Sequence, residues 1–105
     1  MAAEGPLRIE TLRDVSDAYV LGLTQRGLLL RESDLGPAFF DLRSGIAGEL
    51  FQKFVNTRIP LAIVVADPKD YGERFGELAY EHQRHPTVRI LPTEDDARRW
   101  LGTMA

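Results

Sequence analysis

Hydrophobic positions along the chain follow two different periods. Residues 61–66, LAIVVA, are all apolar, a pattern typical of a strand that is covered on both faces at the centre of a parallel sheet. Residues 7–12 alternate apolar and polar side chains and predict a half-buried strand. Apolar runs at residues 28–30 and 87–91, the second bounded by prolines, predict two more strands.

Helical spacing of apolar residues predicts helices between and after these strands. It is clearest over residues 44–57, where a broad apolar face lies opposite a polar arc of about 100°. The polar arc consists of Glu49, Gln52, Lys53 and Asn56. A second helix is predicted over residues 71–84. A third follows Thr93, which is a good N-cap and precedes three acidic residues, and Gly102 is its predicted end.

Residues 14–25 fit two interpretations. The segment could be a helix that Asp14 or Ser16 opens, or it could contain a short strand. A basic residue and a glycine, Arg26 and Gly27, follow it, and such a pair is typical of a helix end. We therefore favour the helix.

From residue 28 onward the predicted elements alternate between strand and helix. This order predicts right-handed crossovers and a mostly parallel sheet, because parallel strands need a connection that returns along a face of the sheet. The predicted fold class is α/β, with one open, mostly parallel sheet and flanking helices. No linker or repeat divides the chain, so we expect a single domain over residues 1–105, with a loose start at residues 1–6 and a loop at residues 33–43.

Composition and charge narrow the classes of function. Hydrophobic residues make up 44%, enough for a core, and the absence of cysteine excludes disulfides, thiolate metal sites and cysteine nucleophiles. Acidic residues outnumber basic ones by 16 to 13, which argues against a nucleic-acid partner. The longest apolar run is far shorter than the roughly 20 residues of a membrane span, and the first residues lack the features of a secretory signal. We expect a cytoplasmic protein without a cofactor and without a nucleic-acid or membrane partner.

The carboxyl ends of parallel strands meet at one edge of a sheet, where open α/β sheets usually bind ligands. Asp67 follows the second buried strand, and Asp41, Arg43 and Ser44 come at the end of the segment that follows the first. Because Asp67 precedes a proline, it fits an ordinary turn as well as a carboxylate ligand or general base. Asp41 could equally do no more than pair with Arg43.

Ser44 also has two interpretations. As an N-cap, the commonest use of serine before a helix, its hydroxyl would accept a backbone N–H of the first turn. As a functional residue it would be a phosphorylation site or part of an anion pocket, since the free N–H groups of a helix start and the nearby Arg43 favour negative charge. Both interpretations place Ser44 at the start of the helix over residues 44–57.

The polar arc of that helix is either a solvated face or a binding face. Glu49 and Lys53 are four residues apart in the favourable order for an ion pair, a common feature of exposed helices. Gln52 and Asn56 add uncharged donors and acceptors that a partner could recognise. No metal site is predicted, because the two histidines, three residues apart at the end of a predicted helix, lack the spacing of a metal motif.

A resemblance to a known family lies in the segment FFDLRSGIAGELFQKFVN at residues 39–56, together with Arg58 and the run LAIV at residues 61–64. These residues resemble an uncharacterised bacterial family, domain of unknown function 4180, whose name implies no activity. The sequence DLRSG at residues 41–45 and the closing pattern VRIL…EDDARRWL also resemble STAS domains, the sulfate-transporter and anti-sigma-antagonist group. That resemblance implies a small α/β module with a serine or threonine at the start of a helix.

These resemblances and the candidate residues favour a non-catalytic regulatory or protein-interaction module. It would bind a protein partner, or a second copy of itself as a homodimer, through the surface around Asp41, Arg43, Ser44 and the polar arc. Phosphorylation at Ser44 would switch it. The alternative is a small protein or enzyme that binds an anionic metabolite with Asp41, Arg43, Glu49 and Asp67, for which a concave pocket at the strand ends is expected.

Overall fold

A three-stranded sheet forms the centre of the computed structural model, which describes residues 8–104. Its strands are β1 (Leu28–Arg31), β2 (Leu61–Val64) and β3 (Val88–Leu91), and they lie side by side in chain order. Both pairs of neighbouring strands run in the same direction. The predicted α/β class and the parallel sheet are therefore confirmed.

Helices cover both faces of this sheet. The helices of the described residues are α1 (Leu12–Gln25), α2 (Pro37–Phe40), α3 (Ile46–Thr57), α4 (Glu73–Glu81) and α5 (Glu94–Thr103). The buried residues of α1, α3 and α4 share one hydrophobic cluster with alternate residues of the strands, and α5 packs on the opposite face. The longest helix, α1, has 14 residues, so none within residues 8–104 offers the apolar length that crossing a bilayer requires.

The central strand β2 is buried on both faces, as its apolar sequence predicts. Leu61 and Ile63 belong to the cluster formed with α1, α3 and α4, whereas Ala62 packs with Ala97 and Trp100 of α5. Leu61, Ala62 and Ile63 are completely buried, and the fourth residue of β2, Val64, is half-buried. Because successive side chains of a strand point to opposite faces, both faces of β2 require apolar residues.

The predicted strand over residues 7–12 is wrong. Within the part of this segment that the structure describes, Ile9 forms a single parallel bridge to Leu35, and α1 already begins at Leu12. Residue 7 lies outside the described residues. The Ile9 side chain is completely buried, so a single bridge is enough to place this apolar position in the core.

A capping box sets the start of α1. Thr11 Oγ1 accepts the N–H of Asp14 at 3.2 Å, and Asp14 Oδ2 accepts the N–H of Thr11 at 2.9 Å. The helix interpretation of residues 14–25 is confirmed, although neither Asp14 nor Ser16 is the N-cap. The predicted helix end is confirmed as well, because Arg26 adopts the left-handed conformation that terminates helices.

The predicted loop over residues 33–43 contains the short helix α2. Pro37 occupies its first position, where a proline costs no hydrogen bond and its restricted φ suits the helix. Phe39 of α2 is completely buried and anchors the segment in the main cluster. Gly36 and Pro37 thus form the start of a helix within the segment predicted as a loop.

The helix predicted over residues 71–84 is shorter in the structure, where α4 spans Glu73–Glu81. A 3-10 turn, Pro68–Tyr71, and Gly72 precede it. Gly72 has a φ of 107°, a conformation that glycine adopts without strain and that redirects the chain before the helix. The apolar stripe of the predicted helix therefore runs through two separate elements.

The N-cap predicted for the last helix is confirmed. Thr93 Oγ1 accepts the N–H of Asp96 at 3.1 Å at the start of α5. Gly102, however, lies inside α5 and does not end it. A glycine inside a helix costs only about 1 kcal/mol, which the packing of Trp100 and Ala97 can offset.

The outer edge of β3 is closed by the segment that leads into it. The N–H groups of Thr87 and Val88 donate to Nδ1 of His85 at 3.0 and 3.1 Å, and the N–H of Ile90 donates to the carbonyl of His82 at 3.1 Å. These bonds occupy donors that an edge strand would otherwise present to another chain. His85 must be neutral to accept them, because a protonated imidazole has no lone pair at Nδ1.

We predict that acidification destabilises the fold through His85. Burial, together with the nearby positive charges of His82 and Arg89, lowers the pKa of His85 from its usual 6.5. A histidine whose pKa is lower in the folded state contributes stability above the unfolded-state pKa, and this contribution is lost as the pH falls through the folded-state pKa. Urea unfolding at pH 7.5 and 5.5 measures the loss.

The matched variant is His85→Asn, whose amide oxygen can accept the same N–H groups but does not titrate. The free energy of unfolding should fall more between the two pH values in the wild type than in this variant. An equal fall in both proteins would contradict the role given to His85.

Candidate functional site

Ion pairs join the end of β1 to the start of α5 at the carboxyl edge of the sheet. Nε and Nη2 of Arg31 donate to the two carboxylate oxygens of Glu94 at 2.7 and 2.9 Å. Nε of Arg98 donates to the same carboxylate at 2.8 Å. The hydrogen bonds from Arg31 and Arg98 lower the pKa of Glu94 to about 2. Glu94 therefore remains ionised, and its ion pair with Arg31 joins the first strand to the last helix.

Glu32, the residue after β1, connects the ends of the first two strands. Its Oε1 accepts the N–H of Ala66, just beyond β2, at 3.2 Å, and its Oε2 accepts a hydrogen bond from the hydroxyl of Tyr71. The hydrogen bond to Glu32, together with burial, raises the pKa of Tyr71 to about 12. One carboxylate therefore fixes the turn that follows β2.

Aromatic contacts also hold Tyr71 in place. Its ring stacks on that of Phe40 from α2, with centroids 3.6 Å apart and an interplanar angle of 7°. Both rings make edge contacts with Phe75, which is buried in the core. Phe40 and Tyr71 remain half-buried, so together they form a supported surface that we call the Phe40–Tyr71 platform.

A groove of about 830 Å³, which we call the edge groove, lies at this platform. Its lining residues come from the end of α2 and the turn after it, from the end of the 3-10 turn Pro68–Tyr71, and from the start of α4: Phe40, Asp41, Leu42, Arg43, Tyr71, Gly72, Glu73, Arg74 and Phe75. The two acidic and two basic residues among them are all exposed. An aromatic surface with exposed charges suits recognition by apolar contact and ion pairing.

Of the candidate residues selected from the sequence, Asp41 and Arg43 line the edge groove, whereas Ser44 and Asp67 do not. Asp41 Oδ1 accepts the backbone N–H of Arg43 at 3.1 Å and so caps a 3-10 turn, Leu42–Ser44. Nε of Arg43 is 3.7 Å from the same oxygen, and 93% of the Arg43 side chain is exposed. Asp41 therefore supports the local turn, whereas the guanidinium of Arg43 is accessible to a ligand.

The prediction that Ser44 begins the next helix is wrong by two residues. α3 starts at Ile46, and its N-cap is Gly45, whose φ of 80° favours glycine. The Ser44 hydroxyl donates to the carbonyl of Ala38 at 2.5 Å and accepts the N–H of Ile46 at 3.2 Å. The 3-10 turn displaces Ser44 from the cap position, yet its oxygen still meets an N–H group of the first turn.

The polar arc of α3 does not line the edge groove. Glu49, Gln52 and Asn56 are exposed, and Nε2 of Gln52 donates to Oδ1 of Asn56 at 2.8 Å. The predicted ion pair between Glu49 and Lys53 is wrong: no bridge joins them in the described part of the chain. Lys53 Nζ lies instead 5.8 Å from the ring centroid of Tyr19 in α1. The polar arc is thus a separate surface.

Asp67 lies at the end of β2 but outside the edge groove. Its backbone carbonyl accepts the N–H of Asp70 at 3.0 Å, which starts the 3-10 turn Pro68–Tyr71. Tyr71, the last residue of this turn, lies where its hydroxyl donates to Glu32. The structure therefore gives Asp67 the role of a turn residue, and a binding role for its carboxylate stays a prediction.

The residues that build the platform were not found from the sequence. Glu32 could have been found by the rule that selected Asp67, because it directly follows a strand of the parallel sheet. Phe40 and Tyr71 gave no such signal, since an aromatic residue on an apolar stripe more often indicates the core. Arg74 is one of several exposed charges, and only its position at the groove distinguishes it.

The two histidines are engaged in local structure. Nδ1 of His82 is 2.8 Å from the carbonyl oxygen of Leu78, and Nδ1 of His85 accepts two backbone N–H groups. Across residues 8–104, no three His, Asp or Glu side chains gather in an arrangement that could hold a metal ion.

We predict that Tyr71→Phe lowers the free energy of unfolding by about 1–2 kcal/mol, because it removes a hydrogen bond to a charged group and keeps the stacked ring. Tyr80→Phe is the matched control, since the Tyr80 side chain is 75% exposed, and it should have little effect. Because the pKa of Tyr71 is raised, its contribution is present below the ordinary value of 10 and is lost as the pH rises through about 12.

The difference in tyrosinate absorbance between the wild type and Tyr71→Phe reports the titration of Tyr71 alone. Its midpoint should lie near 12. A midpoint at 10, or equal stabilities of the two phenylalanine variants, would show that Glu32 does not hold this hydroxyl.

A family model described as Domain of unknown function (DUF4180) matches residues 3–101 of the chain. The matched range includes every residue of the edge groove. No curated protein and no solved structure matches the chain. The STAS-like architecture therefore rests on the motif at residues 41–45 and the closing pattern, and it stays a prediction.

Proposed function

The chain belongs to the family described as domain of unknown function 4180, and on that premise we propose that it is a non-catalytic regulatory module that binds a protein partner. The partner would dock on the edge groove. An apolar side chain of the partner would contact the Phe40–Tyr71 platform, and acidic side chains would pair with Arg43 and Arg74. We further propose that the module is of the STAS type, acts in the cytoplasm and is switched at Ser44.

The rigid support of the Phe40–Tyr71 platform carries this proposal. Glu32 fixes one ring through its hydroxyl, and the buried Phe75 supports both rings from the core. Binding to a preorganised surface loses less conformational entropy than binding to a mobile one. Aromatic residues and arginine are also the types enriched where protein interfaces are energetically important.

The exposure of the charges in the groove favours recognition over catalysis. Catalytic acids and bases usually have pKa values adjusted by burial and by neighbouring charges. Asp41 and Glu73 are both exposed, and Asp41 is already engaged as a turn cap. Arg43 and Arg74 are exposed as well and provide two cationic groups for carboxylates of a partner.

We predict that charge reversal in the groove weakens partner binding. The partner is captured from a bacterial extract on the immobilised chain, identified by mass spectrometry, purified and titrated against each variant. Arg43→Glu and Arg74→Glu should each weaken binding by at least about tenfold, equivalent to roughly 1.4 kcal/mol. Arg84→Glu, an exposed site outside the groove, should leave the affinity within about twofold.

Equal affinities of the three variants would remove the edge groove as the docking site.

The second candidate function, binding of an anionic metabolite, is favoured by the two arginines and the volume of the groove. It would be supported by a different result: a metabolite that raises the melting temperature of the wild type and has no effect on Arg43→Glu.

The surroundings of Ser44 support a phosphorylation switch. A phosphate would replace the hydroxyl proton that Ser44 donates to Ala38 and would lie beside the N–H groups at the start of α3. Ser44 is exposed, so a modifying enzyme could reach its hydroxyl. Arg43, one residue away, could pair with the phosphate instead of with a partner.

We predict that Ser44→Asp weakens binding of the captured partner by at least about fivefold, because the added carboxylate competes with the partner for Arg43. Ser16→Asp adds the same charge on an exposed position of α1 and should have no effect. Ser44→Ala should bind as the wild type does, provided that its melting temperature shows an intact fold. If Ser44→Asp binds as tightly as Ser16→Asp, Ser44 is a structural residue and not a switch.

A further inference from the structure

The two edges of the sheet differ in whether their outward backbone groups are hydrogen-bonded. On the outer edge of β3, backbone donors are bonded to His82 and His85. On β1, the N–H of Leu28 donates to the carbonyl of Pro60, on the side of β2. Because bonding direction alternates along a parallel strand, Leu29 presents its N–H and carbonyl to the outside. In the described range 8–104, β2 is the one strand that pairs with β1, and no backbone carbonyl of a turn or loop accepts the N–H of Leu29.

A second groove, which we call the β1 groove, lies beside this open edge, between β1 and α5, with a volume of about 600 Å³. Its apolar surface includes Leu29 and Leu101, which are half-buried, and Met104, which is 44% exposed. An open strand edge beside an apolar groove is the arrangement used when an extended peptide is added to a sheet. Backbone bonds then supply affinity, and the groove receives alternate side chains.

The charge of the β1 groove indicates what would occupy it. The charged residues that line it are Arg26 and Arg98, and no acidic residue is among its lining residues. Arg31, at the end of the strand, adds a third guanidinium, and Glu94 balances only part of this charge. A cationic groove on a chain of net charge −3 favours an acidic occupant.

A second copy of the chain fits this edge less well. Antiparallel pairing of two β1 strands around a twofold axis at Leu29 would bring the arginines of both copies to the same interface. Like charges placed opposite each other are destabilising. The free edge would also be short, because the next outward N–H, that of Arg31, already donates to Asp34 Oδ2 at 2.8 Å.

We propose that the β1 edge binds an extended, acidic segment of a partner protein as a fourth strand of the sheet. The segment exchanges hydrogen bonds with the N–H and carbonyl of Leu29. Apolar side chains near its centre contact Leu101 and Met104, and carboxylates at its ends pair with Arg26 and Arg98. This surface is separate from the edge groove, so the inference does not depend on the function proposed above.

The test uses a labelled peptide of sequence EEVVVEE and the full chain, with fluorescence anisotropy as the measurement. Two control peptides separate the contributions. KKVVVKK reverses the charge and should not bind. A version of EEVVVEE with an N-methyl group on the central valine loses one backbone donor, and it should bind at least about tenfold more weakly if strand pairing holds the peptide.

Protein variants locate the site. Arg98→Gln should weaken EEVVVEE binding by about three- to tenfold, and Arg26→Gly, which keeps the left-handed conformation, should do the same. Arg99→Gln is the matched control on α5, because Arg99 also forms an ion pair within the helix but faces away from the β1 groove. Leu29→Pro removes the N–H and should abolish binding, whereas Leu29→Val keeps it.

The backbone amide of Leu29 gives a direct readout by ¹⁵N NMR. Its resonance should shift, and its hydrogen exchange should slow, when EEVVVEE is added. The proposal is overturned if EEVVVEE shows no binding at millimolar concentration, or if the N-methyl peptide binds as tightly as EEVVVEE. Both measurements use the wild-type chain, so they decide the question even if Leu29→Pro fails to fold. It is also overturned, in favour of a second copy of the chain, if the protein sediments as a dimer without peptide and its Leu29 amide is already protected from hydrogen exchange.

Discussion

The backbone of β2 is hydrogen-bonded to β1 on one side and to β3 on the other, and its side chains are buried on both faces. A strand in this position cannot turn a polar face to water, so helices must cover the sheet from two directions. α1, α3 and α4 meet that need on one face, and α5 meets it with Ala97 and Trp100 on the other. The positions of the helices thus follow from the demands of one apolar strand.

Parallel pairing has a second consequence, which concerns polar residues. All three strands end at the same edge, so residues that are distant in the sequence come within hydrogen-bonding reach there. Glu94 binds Arg31 across 63 positions of the chain, and Glu32 binds the hydroxyl of Tyr71 across 39 positions. The platform of the edge groove exists because that second bond and the stacking on Phe40 hold the same ring.

The structure presents two surfaces that differ in physical character. The edge groove offers side chains, an aromatic platform and exposed guanidinium groups, and it suits recognition of another folded or extended surface. The β1 edge offers backbone groups beside apolar side chains, and it suits an extended chain. The opposite edge, at β3, is occupied by the His82–His85 segment, so residues 8–104 close one edge of the sheet against strand addition and leave the other accessible.

Local patterns were sufficient to predict the alternation of strands and helices, the end of α1 before Arg26 and the cap of α5 at Thr93, because each depends on residues close together in the chain. The parallel sheet then followed from the order of the elements, since a helix between two strands returns the chain for parallel pairing. Local patterns also selected Asp41 and Arg43, which line the edge groove, but a binding role for either residue stays a prediction. They failed where a nearby turn competes with the pattern, as at Ser44, where a 3-10 turn precedes the helix, and at residues 7–12, where a capping box starts one. Tertiary structure alone decided that Tyr71 meets Glu32 and Phe40, that the polar arc lies apart from the groove, and that the β1 edge is left unpaired by residues 8–104. Such contacts join segments with no periodic relation to each other, so only packing in three dimensions can determine them.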